Sequence, residues 1–233
     1  MISLPRAFAL SFSQLGDPAI VKVLVKSLLI TLAIFVVIGG VLWAVLDSLI
    51  EGWIVANLPD DYSNTLAALV AILVGLVATW LLFRIVALFV LQFFAEEIIR
   101  AVEAKHYPEA ASVARSLGMR EELSNGLRST ARALIVNLVA LPFAIFLLFT
   151  GIGTALLFWA VNAFLLGREL QDMVWLRHRA GTDEIAPLGG GNRFLLGGAV
   201  AGLLMVPFLN LLAPVLGAAS ATHLVHRGRA TLA

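Results

Sequence analysis

Apolar and polar positions separate along this chain on a coarse scale. Four long apolar blocks stand out, at about residues 23–46, 65–94, 133–167 and 194–226, with charged stretches between them. The first, "VLVKSLLITLAIFVVIGGVLWAVL", and the second each exceed the ~20 residues a helix needs to cross a ~30 Å hydrocarbon core. They predict two transmembrane helices. The third, "ALIVNLVALPFAIFLLFTGIGTALLFWAVNAFLLGRE", is interrupted at "TGIG". The fourth, "FLLGGAVAGLLMVPFLNLLAPVLGAASATHLV", is interrupted at "VPFLN".

Charge placement decides how these blocks cross. Of the 16 Lys and Arg residues, only Arg84 lies within the acidic loop at 47–64 or the second block. Basic loops favour the cytoplasmic side. The N-terminal bases, the central segment at 95–132, the connection at 168–193 and the tail at 227–233 therefore all belong on one side. Blocks one and two satisfy this by crossing out and back. A single crossing by block three would place Arg168, Arg177, Arg179 and Arg193 outside. Two full crossings would need about 40 residues plus a turn, and block three has about 34. Its arms, of roughly 17 and 13 residues, reach only ~25 and ~20 Å at 1.5 Å per residue. Blocks three and four are expected to enter the membrane, turn and leave on the same side. The turns fall at Gly151 and Gly153 in block three and at Pro207 and Asn210 in block four. Steeply tilted single spans with an imperfect charge rule are the other reading. Two interrupted segments in corresponding positions also point to a transport site.

Composition agrees with this outline. The chain has 233 residues, 61% hydrophobic and 13% charged, where a soluble domain is nearer a quarter charged. It is expected to be an all-α integral membrane protein of one domain. There is no cysteine, which excludes disulfides and thiol chemistry. The net charge of +1 gives no sign of a nucleic-acid partner. Phe8, Leu10, Phe12 and Leu15 suit a short amphipathic helix at the membrane surface within residues 1–22; a floppy terminus is the alternative. The stretch "AEEIIRAVEAKHYPEAASVARSLGMREELSNGLRS" reads as a helix leaving the membrane, a turn at Tyr107-Pro108 and a second short helix.

Catalytic and metal patterns fail. No GxSxG, HExxH or P-loop is present, and "GGGNR" at 189–193 reads as a linker. His223 and His226 share a helix face but have no carboxylate near them in sequence. No enzyme activity, metal or cofactor is expected. Arg84, inside the second block, costs something like 2.5–3.5 kcal/mol to insert. It is a candidate for a wet anion path, with snorkelling to the interface as the alternative. Glu96, Glu97, Arg100 and Glu103 form a charged ladder where the second helix leaves the membrane; Glu97 and Arg100 are candidates for a vestibule, against ordinary helix-surface pairing. Asn137 and Asn162 are expected to stitch hairpins together.

Four stretches in order, "QLGDPAIVKVLVKSLLIT", "FFAEEIIRAVEAKHYP", "GIGTALLFWAVNAFLLGRE" and "PFLNLLAPVLGAASATHL", resemble the bacterial sulfate transporter CysZ family and the wider group related to etoposide-induced protein 2.4. The resemblance covers nearly the whole chain. It implies two long transmembrane helices, two half-penetrating hairpins, a cytoplasmic helical part and both termini in the cytoplasm of a bacterium, at the inner membrane. It also implies a homo-oligomer, built on a dimer and reaching a hexamer, that admits sulfate or a related oxyanion for cysteine synthesis. The family's sulfate site has a Gly-Leu-Arg or Gly-Ile-Arg-Arg run after a proline. The matching run after Pro18 is Ala19-Ile20-Val21-Lys22. Lys22, with Lys26 one turn on, is then expected to attract the anion, and Ala19 and Ile20 to offer backbone N–H donors. A lysine is a poorer fork than arginine. A non-transporting membrane scaffold is the alternative function.

Overall fold

The computed structural model describes residues 3–57, 69, 73–77, 95–181, 184–206 and 209–229. Among these residues every regular element is helical. Most of the second apolar block, with Arg84, lies outside the described residues, as does Pro207. The chain divides into two units, residues 22–94 and residues 1–21 with 95–233.

Helix α2 (Pro18–Asn57) opens at its Pro18, and from Lys22 onward it belongs to the first unit and runs through the whole of the first apolar block. Proline suits the first turn of a helix, where its missing N–H is no loss. Val23, Ser27 and Thr31, spaced by four, form a buried stripe. The two hydroxyls on it bond back to the Leu24 and Ser27 carbonyls, so neither asks for an outside partner. Leu28, Leu29, Leu32, Val36 and Val37 stand exposed around the rest of the helix. Exposed leucine and valine in such density need lipid rather than water.

The second unit is a bundle around α8 (Leu209–Arg229). From Ala213 to His226 this helix is buried on every side. Its residues there are mostly Ala, Gly, Ser and Val, which let neighbouring helices approach closely. A helix apolar all round belongs in a core. Helices α1 (Leu4–Ser13), α6 (Gly153–Trp175) and α7 (Gly190–Met205) pack on it. Helix α1 docks through Ala7 and Ser11, and the Ser11 and Ser220 hydroxyls lie 2.9 Å apart. The segment is thus a packed helix and not a floppy terminus; Phe12 is the half-exposed residue on its outer side.

Helix α3 spans residues 95–106 and α4 runs Pro108–Val113, with the break at Tyr107-Pro108 as expected. Helix α5 (Met119–Leu147) begins well before the third apolar block, because the helix runs on unbroken through Arg128 and Arg132 into Ala133. Pro142 lies inside it. Beyond Ala133 it is bare: Leu134, Ile135, Leu138 and Phe146 are all exposed, and Ala144 is the one buried residue of the helix. By length and apolar composition, α2 (Pro18–Val41) and α5 with its extension (Met119–Thr150) are able to cross a bilayer.

The expected turn after α5 is present. A short 3₁₀ turn (Leu148–Thr150) leads to Gly151 at φ 72°. That left-handed conformation costs any L-residue with a Cβ. Thr150 then accepts the Gly153 N–H through its hydroxyl at 2.9 Å and starts α6. Helices α5 and α6 pack as a hairpin, and α7 and α8 pack as a second one, α7 ending at Met205 with Val206 extended after it. Asn210 sits in the first turn of α8, its N–H on the Val206 carbonyl at 3.0 Å. "GGGNR" is not a linker: α7 begins there, with the Arg193 N–H on the Gly189 carbonyl. The two asparagines do not join hairpins either. Each amide nitrogen donates to the carbonyl four residues earlier on its own helix, Asn137 to Ala133 and Asn162 to Phe158, at 2.8 Å.

Between the hairpins, α6 and α7 meet backbone to backbone. A Cβ on Gly167 would overlap the Arg193 carbonyl, and one on Gly197 would overlap the Ala163 carbonyl. Trp159 closes the far end, donating its indole N–H to the Gly198 carbonyl at 2.9 Å.

Candidate functional site

The residues singled out for anion binding lie at the head of α2. Lys22 and Lys26 are both exposed, one helical turn apart. Ile20 is 2% exposed and anchors the helix start, while Ala19 is exposed. Asp17 sits one residue before the helix, and its carboxylate accepts the Ala19 N–H at 3.3 Å. Lys105 reaches the other oxygen of Asp17 at 2.5 Å. The Lys105 hydrogen bond holds the Asp17 carboxyl below its usual range against a small desolvation. A carboxylate at a helix N-terminus is electrostatically favoured there. It occupies the kind of place a free anion would take.

The charged ladder splits in two. Glu96 and Arg100 pair on the surface at 2.6 Å, i to i+4. Glu97 is half-buried. Glu103 turns the other way and is 1% exposed. Its Oε1 accepts from His178 Nε2 at 2.7 Å and from His226 Nε2 at 3.1 Å. Arg177 Nη1 lies 3.6 Å from Oε2. A carboxylate only accepts, so both imidazoles present Nε2–H to it. Burial pushes the Glu103 carboxyl up, but the hydrogen bonds from His178 and His226 and the charge of Arg177 outweigh it and hold the group at about 2.

A second polar knot adjoins it. His223, 1% exposed, lies between Gln14 Nε2 on its Nε2 and the Tyr107 hydroxyl on its Nδ1, both at 2.8 Å. Tyr107 stacks on the His226 ring with centroids 4.7 Å apart. Trp175 lies under the Arg229 guanidinium at 5.2 Å. Together these groups tie α1, α3, the end of α6 and α8 to one point. Arg115 extends the tie by bonding Glu121 with both guanidinium nitrogens at 2.9 and 2.8 Å and the Leu176 carbonyl at 3.1 Å.

The ligand atoms of Glu103, His178 and His226 all lie within 4.8 Å of one another. Two imidazoles and a carboxylate are a donor set that suits zinc. Arg177, however, stands against the same carboxylate and would repel a second cation. The carboxylate oxygen nearest the rings already holds two N–H groups. The arrangement is suited to bracing a polar core rather than to open coordination.

Sequence reasoning missed Glu103 as a hub because its partners lie 75 and 123 residues away. One local signal pointed to it. Ser220, Thr222, His223 and His226 interrupt an otherwise apolar run on a helix that is buried all round, and buried polar groups need partners.

A family model described as "Sulfate transporter CysZ/Etoposide-induced protein 2.4" matches residues 7–214 of the chain. No curated protein matches it.

Proposed function

The chain belongs to the sulfate transporter CysZ/etoposide-induced protein 2.4 family, and from that premise we propose that it is a membrane protein admitting sulfate or a related oxyanion across the bacterial inner membrane, for cysteine synthesis. Family membership over 7–214 carries the reading. The bare apolar faces of α2 and α5 supply the lipid contact it requires. In this reading the α5–α6 and α7–α8 hairpins enter and leave the bilayer on one side, with both termini cytoplasmic, and the active form is a homo-oligomer.

Lys22 and Lys26 attract the anion, while the N–H groups of Ala19 and Ile20 are its backbone donors. The Ala19 N–H donates to Asp17, so the incoming dianion competes with an internal carboxylate for that position. Lys105 would draw Asp17 aside, since the two are paired. Arg84, Glu97 and Arg100 are proposed for the path. Hydrated lysines offer point charges and not forks, so binding at this entrance is weak and suits passage.

Radiolabelled sulfate uptake into liposomes holding the purified protein tests this. Uptake above that of empty liposomes, falling several-fold in Lys22→Ala, is the expected result. Uptake that survives Lys22→Ala would sink the proposed entrance. Absence of uptake in folded, inserted protein would sink the transport reading and favour a membrane scaffold.

A further inference from the structure

A cavity of ≈ 470 Å³ lies where α5, α6 and the start of α7 converge. Arg132 of α5, Arg168 of α6 and Arg193 of α7 line it, with Asp172 and Glu169. The contact of α6 and α7 at Gly167 puts the Arg193 backbone against the turn that carries Arg168. The arginines are therefore brought together by helix packing, not by a carboxylate that claims them.

Their pairing with Asp172 is loose. Arg132 Nη1 and Arg168 Nε stand 3.9 and 3.7 Å from Asp172 Oδ2. Those separations exceed a hydrogen bond. Arg168 Nε is buried and has no hydrogen-bond partner. Burial pushes the Asp172 carboxyl up from its ordinary value, against the pull of Arg168 and Arg132. A buried guanidinium donor left unfilled is costly, and three guanidiniums beside two carboxylates, Asp172 and Glu169, leave one positive charge over. Planar forks lining one cavity match a tetrahedral oxyanion in geometry and sign.

The cavity also has a definite level in the fold. Arg132 directly precedes Ala133, where the bare apolar surface of α5 begins; Leu134 is 67% and Leu138 71% exposed. In the topology proposed above, this boundary between charged and bare apolar surface is where lipid phosphates would lie.

The geometry points to an oxyanion site formed by Arg132, Arg168 and Arg193, separate from the head of α2, that takes one sulfate or phosphate group, either free in solution or carried by an anionic lipid headgroup. Asp172 is its internal competitor, filling the place loosely while the site is empty. The inference rests on these side chains and not on transport.

Binding to the purified full chain in detergent tests it. Sulfate and phosphate are titrated at constant ionic strength against chloride, and phosphatidylglycerol retention is compared with phosphatidylcholine by native mass spectrometry. Arg168→Gln and Arg193→Gln are expected to weaken one saturable site about 10-fold or more, the loss of one charge-assisted fork. Asp172→Asn is expected to tighten the same site about 3- to 10-fold, because it removes the competing charge. A merely structural ion pair would not give that gain. Sulfate or phosphate binding with no preference for phosphatidylglycerol identifies the free ion. Phosphatidylglycerol retained by the wild type and lost in Arg168→Gln identifies the lipid. If Asp172→Asn tightens neither probe, or the folded arginine variants keep wild-type binding of both, the site does not exist. Sulfate uptake lost in Lys22→Ala with this binding intact would leave the two proposals independent.

Discussion

Glu103→Gln is the sharpest probe of the buried hub. The substitution keeps the shape and removes the charge that faces Arg177, His178 and His226. Two routes give the size of the effect. The carboxyl is held at about 2 from an ordinary 4.5. At ~1.36 kcal/mol per pH unit that gap is worth about 3 kcal/mol. Breaking a buried ion pair by removing one partner costs ~3–5 kcal/mol, so both routes point to a loss of about 3 kcal/mol at pH 7. The sign with pH follows from a folded value below the unfolded one. The contribution is fully present above pH 4.5 and is lost as pH falls towards about 2. The gap between wild type and Glu103→Gln should therefore close by about 2 kcal/mol between pH 5 and pH 3. Denaturant unfolding in detergent, followed by tryptophan fluorescence, reads it; Trp175 is buried beside the hub. Thiol-reactive dyes are no use on a chain without cysteine. A gap under ~1 kcal/mol at pH 7, or one that does not change with pH, would refute the reasoning.

Other perturbations test other joints. Gly197→Ala places a methyl into the Ala163 carbonyl, so α6 and α7 must separate. A loss of about 3 kcal/mol is expected by the same unfolding assay, with Gly202→Ala, which meets nothing nearby, as the harmless comparison. Gly151→Ala puts a Cβ on a residue at φ 72° and should cost about 1–2 kcal/mol, with the turn otherwise open around it. If Gly151→Ala is neutral, the left-handed turn is not what fixes the α5–α6 hairpin.

What the sequence determined by itself is what depends on neighbouring residues. The four apolar blocks, the break at Tyr107-Pro108, the turn at Gly151 and the interruption after Met205 all follow from side chains within a few positions of one another. Even there, α5 begins earlier than the apolar pattern implies, because a helix propagates through Arg128 and Arg132 without needing lipid. Only the tertiary structure decided the rest. It set Ser11 against Ser220, Glu103 between His178 and His226, and Arg132, Arg168 and Arg193 around one cavity. The physical reason is that a helix fixes which of its residues share a face, but not which foreign face will meet it. That choice is made by the close approach of α6 and α7 at Gly167 and Gly197, and by polar groups on a buried α8 that had to find partners far along the chain.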